Sequence, residues 1–169
     1  MEEKKEEKIE VPEIIPLLPV RDVVIFPSMI LPLFVGREAS IKAVDDSLSK
    51  DRMILLCAQK DVNEEEPKPE GIYSVGTVAT IMRMLKLPDG RAKILVQGLS
   101  KARIIEFVQE KPTYYVKIQD ITEPTVTKGT LEMEALMRSV REQMEKVISM
   151  GKMLPADLMM ILENVNEPG

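Results

Sequence analysis

The sequence predicts an α+β fold: a small, mostly antiparallel β pseudo-barrel with one short helix, followed by the start of an α-helical subdomain. Three observations predict it. Six or seven short β-prone segments precede residue 122, a single amphipathic helix lies among them, and strands and helices do not alternate as they do in a βαβ sheet. With 169 residues, 44% of them hydrophobic and only 4% aromatic, the chain has room for one β-rich domain with an aliphatic core and a small appendage.

Four prolines interrupt the apolar stretch Ile14–Gly36 and exclude a helix there, because each removes a backbone donor and clashes with the preceding turn. They also argue against a buried central strand, which would lose ladder hydrogen bonds. The stretch is therefore predicted to form two extended segments, Ile14–Val20 and Ile30–Val35, joined by a tight apolar connection through Val24–Pro27. Because prolines suit edge strands, strand starts and turns, we expect this stretch to wrap one side of the sheet with part of its apolar surface outside.

A helix and a buried strand follow. In Arg37–Lys50 the apolar residues recur at spacings of three and four, which predicts an amphipathic helix. The continuous apolar run Met53–Gln59 is typical of a strand covered on both faces. Lys60–Glu70 contains three consecutive glutamates and two prolines but lacks the spacing of a calcium loop, so we interpret it as a solvated loop.

The clearest hairpin signal is the dipeptide Asp89-Gly90 between two β-prone runs, Thr77–Leu87 and Arg91–Gly98, since both turn residues tolerate positive φ. Alternation places Val78, Thr80, Met82 and Met84 on one face of the first strand, and Ala79, Ile81, Arg83 and Leu85 on the other. On the return strand, Ile94 and Val96 are expected on the face opposite to Lys93 and Leu95. Two further strands are predicted at Ala102–Val108 and Tyr114–Ile121.

Composition divides the chain into four parts. Residues 1–11 are a mixed-charge tail that we expect to be mobile, residues 12–121 the β-rich domain, residues 122–129 a linker, and residues 130–169 a helical subdomain, which the family resemblance described below implies to be truncated. In the last part the apolar residues from Met133 to Ile148 keep helical spacing, Gly151 is expected to cap that helix, and Pro155–Asn164 is predicted to form a second one.

The composition also excludes most chemistry. The chain has no histidine, a single cysteine (Cys57) and no GxxxxGK[ST] phosphate loop, which rules out imidazole catalysis, the usual zinc sites and this mode of ATP binding. We therefore predict no catalytic residue, no metal and no cofactor. The net charge of −5 argues against a nucleic-acid partner. No apolar signal-peptide region follows the charged tail, and no apolar run reaches the ~20 uninterrupted residues of a membrane span. A cytoplasmic protein with a reduced thiol in its core is expected.

Four segments, taken in their order along the chain, resemble the N-terminal domain of the Lon family of ATP-dependent proteases. They are PLLPVRDVVIFPSMILPLFVGRE (Pro16–Glu38), YSVGTVAT (Tyr73–Thr80), LPDGR (Leu87–Arg91) and VQGLSKAR (Val96–Arg103), and the resemblance extends from about Ile14 to Gly169. It implies a PUA-like β fold and a non-catalytic module that recognises unfolded or damaged proteins and helps to assemble a homohexameric protease. It also implies that ATP hydrolysis and a serine–lysine proteolytic site belong to later domains, so we expect this chain to be a fragment.

Such recognition requires exposed apolar side chains that tolerate many partner sequences, and two places offer them. The candidates are Phe26, Pro27, Met29 and Ile30 in the proline-rich stretch, and Met82, Met84, Leu85 and Leu87 near the hairpin tip, with Arg83, Lys86 and Arg91 as a basic frame. A place in the core is the alternative for each apolar candidate, and it is favoured for Phe26, Ile30 and Met82.

Two other functions stay open. PUA-like folds include RNA-binding modules, although an acidic balance and few aromatic residues are unfavourable to one. The other alternative is a purely structural domain whose apolar faces mediate contacts between subunits.

Overall fold

Six β-strands and two α-helices form in the parts of the chain that the computed structural model describes, residues 10–122 and 130–151. In chain order they are β1 (Ile14–Val20), β2 (Ile30–Val35), α1 (Glu38–Leu48), β3 (Met53–Ala58), β4 (Val75–Lys86), β5 (Ala92–Gln109), β6 (Tyr115–Asp120) and α2 (Leu131–Ser149). The bounds predicted for the two proline-containing strands are confirmed, and so is the helix after them. The predicted second C-terminal helix, most of the charged tail and nearly all of the linker lie outside the described residues.

The strands form one sheet in the order β2-β5-β4-β3-β1-β6, which closes on itself through a further pairing between β5 and β6. Five strands thus complete a ring, and β2 lies outside it on the first half of β5. β1 and β3 run parallel, and the other paired strands of the described chain are antiparallel. The predicted α+β fold with a mostly antiparallel pseudo-barrel is confirmed.

The strand β1 corrects one expectation. It is buried along nearly all its length and lies between β6 and β3, so the argument against a buried central strand is wrong for it. Leu17 N donates to Tyr114 O beside β6, and alternate residues of a strand direct their backbone groups to the same side. The backbone nitrogen of Pro16 therefore points toward β3, one residue before the pairing of β1 with β3 begins. The backbone nitrogen of Pro19 points to the β6 side, beyond the last residue of β1 that pairs with β6. Each missing N–H falls at the end of a ladder and not inside it. β2 is an edge strand of the described sheet, as predicted, and Pro32 lies in it.

Two clusters of buried aliphatic side chains lie on opposite faces of the central strands. Along β3, Ile54 and Leu56 belong to one cluster, and Leu55 and Cys57 belong to the other. This confirms that the apolar run is a strand covered on both faces. The helix α1 contributes Val44 to the first cluster, so the helix covers one of these faces.

A tight hairpin joins β4 and β5 where it was predicted. Gly90 has a φ of +84°, its N–H donates to Leu87 O, and Leu87 N donates to Arg91 O. Beyond the turn, β5 continues without a break, so the strands predicted separately at Arg91–Gly98 and Ala102–Val108 are one.

A β-bulge at Met82 corrects the faces predicted for β4. The register shifts between Ile81 and Arg83, and Met84 pairs with the buried Ile94. Because the extra residue resets the alternation, Met84 lies on the inner face with Ile81, and the prediction that it shares a face with Met82 is wrong. Met84 is half-buried against the core, whereas Met82 is exposed.

The predicted polar loop Lys60–Glu70 is held from inside by one buried amide. Gln59 Nε2 donates to Asp61 O and to Glu64 O, and Gln59 Oε1 accepts from Arg37 Nη1. The loop is therefore polar as expected but fixed at its base.

The helix α2 belongs to a second unit of the chain, residues 123–169, and is described by itself. Thr130 caps its start, since the side-chain oxygen accepts from Met133 N. Gly151, with a φ of +80°, follows its end as predicted.

Candidate functional site

No other described residue covers one face of the sheet where β2, β5 and β4 lie side by side. Paired residues of antiparallel strands project from the same face. The register therefore forms three rows across these strands, and we call their nine residues the outer face. The rows are Ile30–Gln97–Thr80, Pro32–Leu95–Arg83 and Phe34–Lys93–Leu85.

Large apolar side chains of the outer face lie in solvent. The exposed fraction is 66% for Phe34, 60% for Leu85 and 56% for Ile30. Val35, which follows Phe34 in β2 and projects from the other face, is buried. Lys93 Nζ lies 5.5 Å from the centroid of the Phe34 ring, a cation–π contact that leaves most of the ring uncovered. Exposed apolar residues on one sheet face make this face a candidate interaction surface.

A tight turn, residues 26–29, leads into β2. Met29 N donates to Phe26 O over 3.2 Å, and Ser28 adopts a φ of +69°. Gly98 anchors this turn, because its O accepts from Ser28 N and its N donates to Met29 O. A Cβ on Gly98 would lie 2.3 Å from Phe26 O, so the close approach requires glycine. The turn presents Phe26 and Met29 to solvent.

A second bond fixes the turn at its start. Thr77 Oγ1 donates to Ile25 O at 2.6 Å, and both residues are buried. With Ile25 in the core, its neighbours Val24 and Phe26 are exposed on either side of it.

The structure distributes the predicted site residues over three places. Leu85 and Arg83 lie on the outer face, Phe26, Pro27 and Met29 lie in the turn, and Met84 and Leu87 are half-buried in the hairpin. The core alternative favoured for Phe26, Ile30 and Met82 is wrong, since all three are exposed. Alternation along β2 accounts for Ile30, and the bulge accounts for Met82.

Sequence analysis missed Phe34, Leu95 and Val24. A signal for Phe34 was present, because Leu33 and Val35 on either side of it are apolar and an alternating strand that buries them turns Phe34 outward. Alternation places Leu95 on the face with Lys93, but its neighbours Pro32 and Arg83 are set by the register with β2 and β4, which no local pattern encodes.

Two of the basic residues near the hairpin, Arg91 and Lys86, have acidic partners. Arg91 Nη2 lies 2.6 Å from Asp89 Oδ2, and the hydrogen bond from Arg91 lowers the pKa of Asp89. Lys86 Nζ lies 3.5 Å from Asp45 Oδ1. Both contacts lie in solvent and contribute little to stability, so positive charge stays available beside the apolar side chains.

The described residues include an exposed apolar sheet face, and the cysteine among them is not an activated nucleophile. Cys57 is buried, and burial raises the pKa of its thiol to about 12, so the thiol is protonated at neutral pH. No three acidic, cysteine or histidine side chains converge as metal ligands within residues 10–122 and 130–151. Over the same ranges, neither helix combines the length and apolar character needed to cross a membrane.

Residues 14–169 match the family described as the ATP-dependent protease La (LON) substrate-binding domain. The chain is 58% identical over 166 residues to the Lon protease of Geobacter metallireducens and 60% identical over 164 residues to that of Trichlorobacter lovleyi. These matches cover 98% and 97% of the chain but 20% of each relative, so the chain spans about a fifth of their length.

Two solved structures share the fold. The N-terminal domain of Mycobacterium avium complex Lon protease matches with a TM-score of 0.70 at 17% sequence identity, over 92% of this chain and 77% of that one. The Lon N-terminal domain protein from Xanthomonas campestris matches with a TM-score of 0.57 at 16% identity, over 92% of each chain.

Proposed function

This chain belongs to the Lon substrate-binding domain family, and from that premise we propose that it binds unfolded or damaged polypeptides through the outer face and the turn before β2. The observation that carries the proposal is the exposure of Phe34, Leu85 and Ile30 on one face of the sheet. An unfolded chain presents apolar side chains that a folded protein buries, so such a face selects unfolded partners.

The expected affinity of a single copy is weak. Burying one aliphatic side chain contributes roughly 1.5–3 kcal/mol. Three such contacts contribute roughly 4.5–9 kcal/mol, and after the cost of association and of ordering the bound chain about 4–5 kcal/mol is left at best, which corresponds to a Kd of about 0.2–1 mM. Several copies in one assembly hold the same chain more tightly through effective concentration.

We further propose that this chain is the recognition and assembly part of a longer, cytoplasmic, hexameric protease of the AAA+ class. ATP hydrolysis and proteolysis by a serine–lysine dyad are assigned to other segments of that protein, and this domain performs no catalysis. The support is the relatives, which are named Lon protease and of which this chain spans 20%.

An NMR titration with one protein in its folded and its denatured form tests the binding proposal. Resonances of the outer face and the turn are expected to shift with the denatured form only. Leu85→Glu replaces an exposed apolar contact by a charge and should weaken binding by about tenfold or more, because burying one aliphatic side chain contributes roughly 1.5–3 kcal/mol and each change of about 1.4 kcal/mol is a factor of ten.

Ile105→Glu is the matched control. Ile105 also lies on a strand, is 53% exposed against 60% for Leu85, and is outside the outer face. This variant should keep the parent affinity. Equal losses in the two variants would show that added negative charge, and not this face, governs binding. No shift at millimolar denatured protein would reject the proposal and favour the subunit-contact role.

A further inference from the structure

β2 has one edge that no described strand covers. Gly98 N donates to Met29 O, so Met29 faces β5, and backbone groups alternate in direction along a strand. The β2 residues whose backbone groups face away from β5 are therefore Ile30, Pro32 and Phe34, and β5 is the strand with which the described β2 pairs. Pro32 has no N–H, so two donors, Ile30 N and Phe34 N, and three carbonyl oxygens have no partner among the described residues.

A groove of about 530 Å³ lies beside this edge. β2 lines it from Leu31 to Val35, and the chain from Leu18 to Val23 lines its other side. On that other side the Pro19 carbonyl already accepts a hydrogen bond from Arg37 Nη2. A polypeptide in the groove can therefore form main-chain hydrogen bonds with β2, whereas on the opposite side the Pro19 carbonyl already has a donor.

Positive charge collects around the groove. Its lining includes Arg21, Arg37 and Arg91 against one acidic residue, Asp22, and Arg91 is already paired with Asp89. Arg37 is half-buried, and the pKa of its guanidinium is lowered by burial and by the nearby charge of Arg21. Arg21 is exposed and has no ion-pair partner within residues 10–122 and 130–151. A carboxylate placed between these two arginines relieves their repulsion.

We propose that an extended segment of an unfolded polypeptide adds to β2 as a new edge strand, with an acidic side chain placed over Arg21 and Arg37. The nature of the partner rests on the function proposed above, and the new element is the way in which it is held. Main-chain hydrogen bonds to Ile30 and Phe34 require no particular partner sequence, which suits a domain that accepts many substrates. Pro32 lies between them and has no N–H, so one hydrogen bond is missing from the middle of the pairing, as is usual for a proline on an edge strand. Side chains on one face of the added strand extend the apolar outer face.

Amide hydrogen exchange of the whole chain tests this inference. The probe is an acetylated and amidated heptapeptide of alternating valine and serine with one glutamate near its C-terminal end. In the free protein the N–H groups of Ile30 and Phe34 should exchange fast, and saturating peptide should slow them by about tenfold or more. Leu31 and Leu33 face β5, are protected already and should change little.

Two variants at one position separate the backbone from the side chain. Phe34→Ala and Phe34→Pro both remove the ring, and only the proline removes the free donor. The ladder with β5 stays intact because that N–H faces away from it. Peptide affinity should be about 3- to 10-fold lower for Phe34→Pro than for Phe34→Ala. Arg21→Gln in the protein, or glutamate to glutamine in the peptide, should each lower the affinity by about 2- to 5-fold.

Several outcomes would overturn the inference. One is protection of the Ile30 and Phe34 amides in the free chain, whether by a second copy or by other residues of the same chain. Another is equal peptide affinity of the two Phe34 variants together with unprotected amides. If the inference fails in this second way, a loss of binding in Leu85→Glu still supports the apolar binding function proposed above. Conversely, if peptide protects the amides and Leu85→Glu has no effect, strand addition is supported and the outer face is rejected as the binding surface.

Discussion

Replacing Gly98 by alanine drives a methyl group into the backbone of the turn before β2. The added Cβ would lie 2.3 Å from Phe26 O, 3.1 Å from Phe26 C and 3.2 Å from Thr77 Cγ2, whereas ordinary contacts begin at 3.4 Å. The carbonyl of Phe26 therefore has to retreat by about 1 Å. That movement also strains the neighbouring hydrogen bond from Thr77 Oγ1 to Ile25 O.

The free energy of unfolding should fall by about 2 kcal/mol in Gly98→Ala. Overpacking typically costs about 1–3 kcal/mol, and a weakened buried hydrogen bond adds about 1 kcal/mol. Alanine offsets about 0.4–1 kcal/mol by restricting the unfolded chain. Gly98 does not have a positive φ, so left-handed backbone strain adds nothing. For a β-rich domain of about 110 residues, a loss of about 2 kcal/mol lowers the melting temperature by about 6–12 °C.

Gly36→Ala is the matched control. Its Cβ would meet Arg91 Cγ at 3.4 Å and Cδ at 3.5 Å, which is ordinary contact with a flexible side chain, and Gly36 also lacks a positive φ. Its free energy of unfolding should be unchanged or higher by up to about 1 kcal/mol. Urea unfolding followed by circular dichroism measures both variants. A Gly98→Ala protein that unfolds at the urea concentration of the parent would refute the close approach of Phe26.

Three further substitutions test the core and the bulge. The stability cost of Cys57→Ala should shrink between pH 9 and pH 12, because burial raises the pKa of the folded thiol to about 12 while the unfolded thiol ionises near 9. The contribution of the protonated Cys57 thiol to the free energy of unfolding is complete below pH 9 and falls by about 1.4 kcal/mol per pH unit above it. A cost of Cys57→Ala that is constant with pH would contradict this. Thr77→Val should lower the free energy of unfolding by about 1–3 kcal/mol because Ile25 O loses its donor, and an unchanged urea midpoint would argue against that bond. Met84→Ala should lower the free energy of unfolding by about 1–2 kcal/mol and Met82→Ala by less than about 0.5 kcal/mol, since of the two only Met84 packs against the core. A larger loss in Met82→Ala than in Met84→Ala, measured by urea unfolding, would show that the bulge is not at Met82.

Local signals located most elements of this fold. Proline geometry bounded Ile14–Val20 and Ile30–Val35, three-and-four spacing located α1, and the positive φ of Gly90 appears where Asp89-Gly90 predicted a turn. These features depend on steric limits within a few residues, so the chain specifies them without knowledge of its neighbours.

The candidate site was predictable only in part. Leu85, Arg83, Phe26 and Met29 were named from the sequence, and the structure places them on the outer face or in the turn. Whether they are core or surface was not decided by their chemistry, because an apolar side chain suits either environment.

The sequence by itself determined an aliphatic β-rich domain with a proline-rich opening stretch, a hairpin and the motifs of its family. Only the tertiary structure decided that β1 lies inside the ring, that a bulge at Met82 turns Met84 inward, and that Phe34 joins Leu85 across β5. The physical reason is that strand register is set by partners distant in sequence, and a shift of one residue exchanges the buried and exposed faces of a strand.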